Sequence, residues 1–213
     1  MYKRQLGGCT YVLNKTSGQI YEQMSQMAQL YAQELDNRFL RISRNLFSAI
    51  MDTNETNSTF WGNVNLMKNG DYSEYAIGKL REEYFSSAWE YGTEYRIFLY
   101  TNDTDKLYQL SLSSDGNYTM SPEIAASIRE QIDKLDEKAY AVKRKWDVLE
   151  CDDEVYICKI AQKNGIALGC IVNVKSILEP FSKLSLGKHG YVSLVDQDEV
   201  CIGVLAVSYT HLT

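Results

Sequence analysis

Ile20, Met24, Met27, Tyr31, Leu35, Phe39, Ile42, Leu46 and Ile50 recur at gaps of three or four residues. Gln, Glu, Asp, Arg and Ser fill the positions between them. An apolar stripe of that period predicts one long helix, on the order of 50 Å at the helical rise per residue. Thr16 or Ser17 suits its start, because a hydroxyl can accept from a free N–H of the first turn. A helix of that length exceeds a small domain, so part of its stripe is expected to meet a partner helix.

The pattern then changes. Residues 52–72 are polar and rich in turn formers and read as a loop. Ile77, Leu80, Tyr84 and Ala88 restore the helical period over 73–91. Tyr95–Tyr100 and Leu107–Leu112 read as a hairpin about the turn Asn102–Asp105. A second loop, Ser113–Tyr118, leads to Ser121-Pro122, a cap followed by proline at the first helical position. Ile124, Ile128, Ile132 and Leu135 continue that helix. Three strands are predicted at 145–151, 154–161 and 166–174, with turns at Asp152-Asp153 and Lys163-Asn164-Gly165. Lys175–Leu186 reads as a short helix, and 190–196 with 199–205 as a last hairpin. Five strands joined by antiparallel connections, with helices to one side, make an α+β domain. The last hairpin lies beyond a helix and reads as the start of a second domain.

Composition narrows the function. The 213 residues are 45% apolar and 23% charged, which excludes bulk disorder. A net charge of −6 disfavours sequence-blind nucleic-acid binding. No apolar run approaches the roughly 20 residues of a membrane span. His189 and His211 are the only histidines, too few for Ser-His-Asp or Cys-His catalysis or a multi-histidine metal site. No catalytic residue, metal or cofactor is therefore expected.

The five cysteines, Cys9, Cys151, Cys158, Cys170 and Cys201, form no C-x-x-C pair. Cys158 and Cys170 fall mid-strand and read as small buried apolar residues; a disulfide from Cys151 or Cys158 to a neighbouring strand stays open. Asn-x-Ser/Thr triplets at Asn14, Asn54, Asn57, Asn102 and Asn117 read as compositional. Asp196-Gln197-Asp198-Glu199 lacks the glycine of a calcium loop and reads as a turn.

Both ends look foreign. Codons for Met1–Gln5 can be written as the reverse complement of codons for the core of Val207–Thr213, as in a sequencing adapter read from opposite strands. Residues 6–206 are accordingly expected to be the genuine protein, a fragment of a longer chain.

For chemistry, aromatic and charged residues at strand ends stand out, since small-molecule sites combine aromatic walls with a few polar groups. Trp146 and Tyr156 fall on adjacent predicted strands, Tyr100 ends the first strand, and Tyr118 lies in the loop after the second. Lys143 and Arg144 precede the third strand, and an arginine there could clamp a carboxylate through two parallel hydrogen bonds. The alternative is that Trp146 and Tyr156 are core aromatics and Lys143 and Arg144 a solvated basic pair, and for each residue taken alone that is the commoner case.

Three stretches carry a family resemblance: QMSQMAQLYAQELDNRFLRISRNLFSAIM, WDVLECDDEVYICKIAQKNGIALGCIVNVKSIL and GYVSLVDQDEV. With their order, the chain resembles the double Cache (PAS-like) extracytoplasmic sensors of bacterial membrane sensor histidine kinases. The resemblance implies a long N-terminal helix at 6–52, a membrane-distal PAS-like module with a five-stranded antiparallel sheet at 53–186, and the truncated start of a membrane-proximal module at 187–206. It implies a homodimer formed through the helix, anchored in the membrane by segments outside this chain, and a small-molecule ligand held on the extracytoplasmic face. The Arg-x-x-Trp-Tyr motif of amino-acid-binding members is missing, because Arg144-Lys145-Trp146 has another spacing. Where some members carry an amine-binding Asp, this chain has Asn173. The kindred readings are a ligand-free spacer of the same fold, or the sensor of an AraC-type membrane regulator or chemoreceptor.

Overall fold

A computed structural model describes residues 2–6, 9–13, 19–52, 58–68, 70, 73–112, 116, 118–135, 146–183, 191–196 and 200–206. In chain order the elements are β1 (Tyr2–Leu6), β2 (Cys9–Leu13), α1 (Gln19–Met51), α2 (Thr59–Lys68), α3 (Ser73–Tyr91), β3 (Arg96–Thr101) and β4 (Lys106–Gln109). They continue as α4 (Pro122–Asp133), β5 (Asp147–Cys151), β6 (Glu154–Lys163), β7 (Ile166–Asn173), α5 (Val174–Leu178), β8 (Tyr191–Asp196) and β9 (Cys201–Ala206). The architecture is α+β. One sheet has five strands in the order β4-β3-β7-β6-β5, and another has four in the order β1-β2-β8-β9. The chain divides into two compact units, one of Met1–Arg41, Arg144–Ile157 and Asn173–Thr213, the other of Ile42–Lys143 and Cys158–Val172.

The second unit holds the centre of the five-stranded sheet. β3 pairs antiparallel with both β4 and β7, and every residue from Ile97 to Thr101 is buried. β7 is buried from Ile166 to Val172, so it reads as a continuous apolar run rather than an alternating one. Asn164 and Gly165 both adopt positive φ, 53° and 73°, the left-handed pair that a two-residue hairpin between twisted strands requires. Asp152 and Asp153, at 52° and 58°, make the corresponding turn between β5 and β6.

β4 stops at Gln109, short of the expected Leu112, because the backbone N–H groups of Leu110 and Ser111 both reach the Ile97 carbonyl. Two residues opposite one break the ladder, as in a bulge. Ser121 caps α4 by accepting from the Ile124 N–H, and Pro122 takes the first position, as the sequence predicts. Ile124, Ile128 and Ile132 form its buried face.

α2 lies inside the stretch expected to be a loop. Phe60, Trp61, Val64 and Met67 are buried and stand at helical spacing, and α2 packs on α3. Lys163 of β6 lies over the Trp61 ring, 5.3 Å from its centroid.

The first unit holds the four-stranded sheet. The C-terminal hairpin β8-β9 is flanked by β2, so the strand carrying Tyr2–Gln5, expected to be foreign, forms an edge of that sheet. Val207–Thr213 lies outside the described residues. α5 ends at Leu178, earlier than the expected Leu186, and continues as a 3-10 turn through Lys183; Pro180 has no N–H to extend an α-helix. Val174, Ile177 and Leu178 are buried, and Gly203 of β9 lies so close to Val174 that a Cβ there would come within 2.5 Å of its methyl group.

α1 confirms the long helix but corrects its stripe. Leu35, Phe39, Ile42, Leu46 and Ile50 are buried as expected, whereas Met27 is 60% exposed. Ala28 and Ala32 take the seam there, since small side chains permit close backbone approach. Tyr31 stays at its margin, its ring edge-on to Phe181 at 4.8 Å and its hydroxyl donating to the Ile177 carbonyl. Thr16 and Ser17 fall outside the described residues.

Candidate functional site

The residues singled out in the sequence separate into distinct settings. Lys143 and Arg144 lie outside the described residues. Trp146, just before β5, is 5% exposed and meets Phe39 edge-to-face with ring centroids 4.5 Å apart, which is a core position. Its indole N–H is buried and has no hydrogen-bond partner among the described residues.

Tyr156 and Asn173 come together on one carboxylate. Tyr156 donates its hydroxyl to Glu154 Oε2 at 3.0 Å, and Asn173 donates its amide to the same oxygen at 2.6 Å. Lys175 Nζ reaches Glu154 Oε1 at 2.9 Å. Asn173 also caps α5, accepting from the Lys175 backbone N–H at 2.7 Å. The Lys175 ammonium, then the Tyr156 hydroxyl, hold the Glu154 carboxyl below the usual carboxylate range. Its preference for the charged state therefore stabilises the fold at neutral pH, and that contribution fades as pH falls through the lowered folded-state value. Glu154→Gln is expected to flatten this acid limb in urea titrations run between about pH 7 and pH 3, by less than about 1 kcal/mol because the pair is solvent-exposed. An unchanged limb would remove Glu154 from the account.

Tyr100 belongs to another cluster. Its hydroxyl donates to Asp105 Oδ1 at 3.1 Å, and Arg129 of α4 donates through Nε to the same oxygen and through Nη2 to the Asp105 carbonyl. Asp105 closes the β3–β4 turn at φ 50°. Burial, then the Asp105 carboxylate, push the Tyr100 hydroxyl above its ordinary value. The two Arg129 bonds tie α4 to the hairpin turn.

Tyr118 lies under Arg81 of α3, with the guanidinium carbon 4.4 Å from the ring centroid. Arg81 Nε donates to the Gln109 carbonyl at 3.2 Å. That carbonyl is fixed by a buried knot. Gln109 Nε2 donates to the Ser111 carbonyl at 2.9 Å, and Ser111 Oγ accepts from the Ile97 N–H at 2.7 Å while donating to the Tyr95 carbonyl at 3.1 Å. Gln109 and Ser111 are almost fully buried. Among the described residues, no carboxylate pairs with Arg81. An arginine tethered through Nε over an aromatic ring, with its terminal nitrogens pointing to no carboxylate among the described residues, has the chemistry to accept an anionic group. This is the candidate site.

Of its residues only Tyr118 was legible in the sequence. Arg81 sits in a run, Lys79-Leu80-Arg81-Glu82-Glu83, that reads as an ordinary solvated helix face, and nothing in the chain links it to a tyrosine 37 positions on. Glu154 was likewise missed, hidden as a turn-flanking acid.

Among the described side chains Cys151, Cys158, Cys170 and Cys201 are free thiols, with no disulfide from Cys151 or Cys158 to a neighbouring strand. Burial pushes the Cys170 thiol well up, so it is an inert core group. Among the described residues no cluster of His, Cys, Asp or Glu could hold a metal ion, and no helix is long and apolar enough to cross a membrane. No family model, curated protein or solved structure matches this chain.

Proposed function

We propose that the chain is the extracytoplasmic ligand-sensing part of a transmembrane signalling receptor of the double Cache type, its output a two-component sensor histidine kinase. The observation that carries this reading is the five-stranded antiparallel sheet β4-β3-β7-β6-β5 preceded by one 33-residue helix, an arrangement compatible with a PAS-like sensor module. Arg81 stacked on Tyr118 supports a solute-binding role, because a preset cation with an open edge serves binding and needs no catalytic partner. In this reading α1 forms the homodimer. Leu40 and Phe47, one heptad apart and 46% and 42% exposed, supply apolar area on its outer face. A ligand then acts by binding one of two helix arrangements more tightly than the other.

The test is a thermal-shift screen of the full chain against small polar and organic solutes. One chemical class is expected to raise the melting temperature saturably, since ligand at about 100 times its Kd adds roughly 2.7 kcal/mol. A screen in which every solute leaves the transition unmoved would replace the sensor with a ligand-free spacer of the same fold.

A further inference from the structure

We infer that the Arg81–Tyr118 pair is a receptor for the carboxylate group of a small organic acid, an inference that rests on the sensing role proposed above. Three observations define the group it fits. Arg81 Nε is already spent on the Gln109 carbonyl at 3.2 Å, so only the two terminal nitrogens remain to bind. Those two nitrogens form the end edge of a planar fork, which matches the two oxygens of a carboxylate in parallel hydrogen bonds. The guanidinium carbon lies over the Tyr118 ring, 4.4 Å from its centroid, which shields one side of the group from water.

Arg129 and Arg38, each paired with a carboxylate, do not offer this edge. Arg129 is bound to Asp105 through both Nε and Nη2, and Arg38 is paired with Glu34 at 2.7 Å. Glu82, next to Arg81 in sequence, is tied to Lys79 at 2.7 Å. The Arg81 edge is also preorganised from behind. The carbonyl that anchors it belongs to the buried Gln109–Ser111–Tyr95 knot, so little side-chain freedom is left to lose on binding.

The probes are sodium acetate and sodium benzoate, with sodium chloride at matched ionic strength. Melting temperature and the ring resonances of tyrosine-labelled full chain, assigned through Tyr118→Leu, are the readouts. Both carboxylates are expected to raise the melting temperature saturably and to shift the Tyr118 ring signals, while chloride does neither. Arg81→Lys keeps the charge but loses the fork, and should weaken binding roughly tenfold, the value of one charge-assisted hydrogen bond. Arg81→Gln should abolish it, and Arg129→Gln should leave it intact; urea midpoints confirm that each variant is folded. Carboxylates no different from chloride, or Arg81→Lys binding as tightly as the parent, would overturn the inference. A neutral or cationic solute that stabilises the chain while carboxylates are silent would overturn it and leave the sensing role standing.

Discussion

Gly169→Ala is expected to lower the stability of the chain by about 2–3 kcal/mol, a loss at the upper end for overpacking a core. Gly169 sits in the centre of β7, directly opposite Phe98 of β3. A Cβ built there would fall 2.3 Å from Phe98 Cζ and 2.8 Å from the Lys159 carbonyl oxygen. Phe98 is fully buried, so its ring has no free space to swing into. The Lys159 oxygen is backbone in the neighbouring part of the sheet and yields even less. Against this, alanine gains about 0.5–1 kcal/mol by restricting the unfolded chain, too little to offset the clash. Urea midpoints of the two proteins check the loss. Phe98→Leu removes the Cζ atom, so the double variant should recover about 1 kcal/mol of coupling and no more, because the contact with the Lys159 oxygen remains. A Gly169→Ala protein as stable as the parent would mean that β3 and β7 are not packed as closely as described.

That glycine shows where the sequence could be read and where it could not. Local rules were visible. Ser121-Pro122 opens α4, Asp152-Asp153 and Asn164-Gly165 make the turns on either side of β6, and the α1 stripe follows a helical period from Leu35 to Ile50. In each, one or two residues fix the backbone on their own. Gly169 carries no such local signal, because its reason is a ring on another strand. α2 was hidden for a compositional reason: Gly62, Asn63 and Asn65 are turn formers, and they masked the helical spacing of Phe60, Trp61, Val64 and Met67. β4 ends early because of one shared carbonyl, Ile97, which no alternation pattern encodes.

The candidate site was less legible still. In the sequence, the basic residues beside the predicted aromatic strands are Lys143 and Arg144. The arginine that meets a predicted aromatic, Arg81, comes from α3, with β3 and β4 between it and Tyr118 in the chain. Tyr156 and Asn173 are candidates of the sequence reading that share one partner, Glu154, so their polar atoms are engaged within the fold. Strand-end aromatics thus marked one edge of the site in Tyr118 and three structural positions in Trp146, Tyr156 and Tyr100. Patterning separates inside from outside, but it does not report which buried or half-buried groups already have partners.

Phe39→Ala is expected to cost about 3–5 kcal/mol, the range for truncating a buried aromatic whose surroundings cannot collapse. Phe39 is 1% exposed and lies on the buried stripe of α1. Its ring stands at 65° to Trp146 with centroids 4.5 Å apart, an edge-to-face pair that adds about 0.5–1.5 kcal/mol to the area term. The loss should appear as a lower urea midpoint and as a red shift of Trp146 emission in the native state, because water reaches the space that the ring leaves. Trp146→Phe separates this packing role from a ligand role. The Trp146 indole N–H is buried and has no hydrogen-bond partner among the described residues, so its removal deletes a desolvated donor along with part of a ring. The two effects oppose each other, and the net cost should stay near 1 kcal/mol, well below that of Phe39→Ala. If Trp146 only packs, stabilisation by a bound solute survives in Trp146→Phe while Arg81→Gln removes it. If the indole N–H were instead the donor to a bound solute, the order would reverse: Trp146→Phe would keep nearly full stability and lose the ligand response. The two variants, read by midpoint and by ligand shift, thus decide whether that aromatic belongs to the core or to the site.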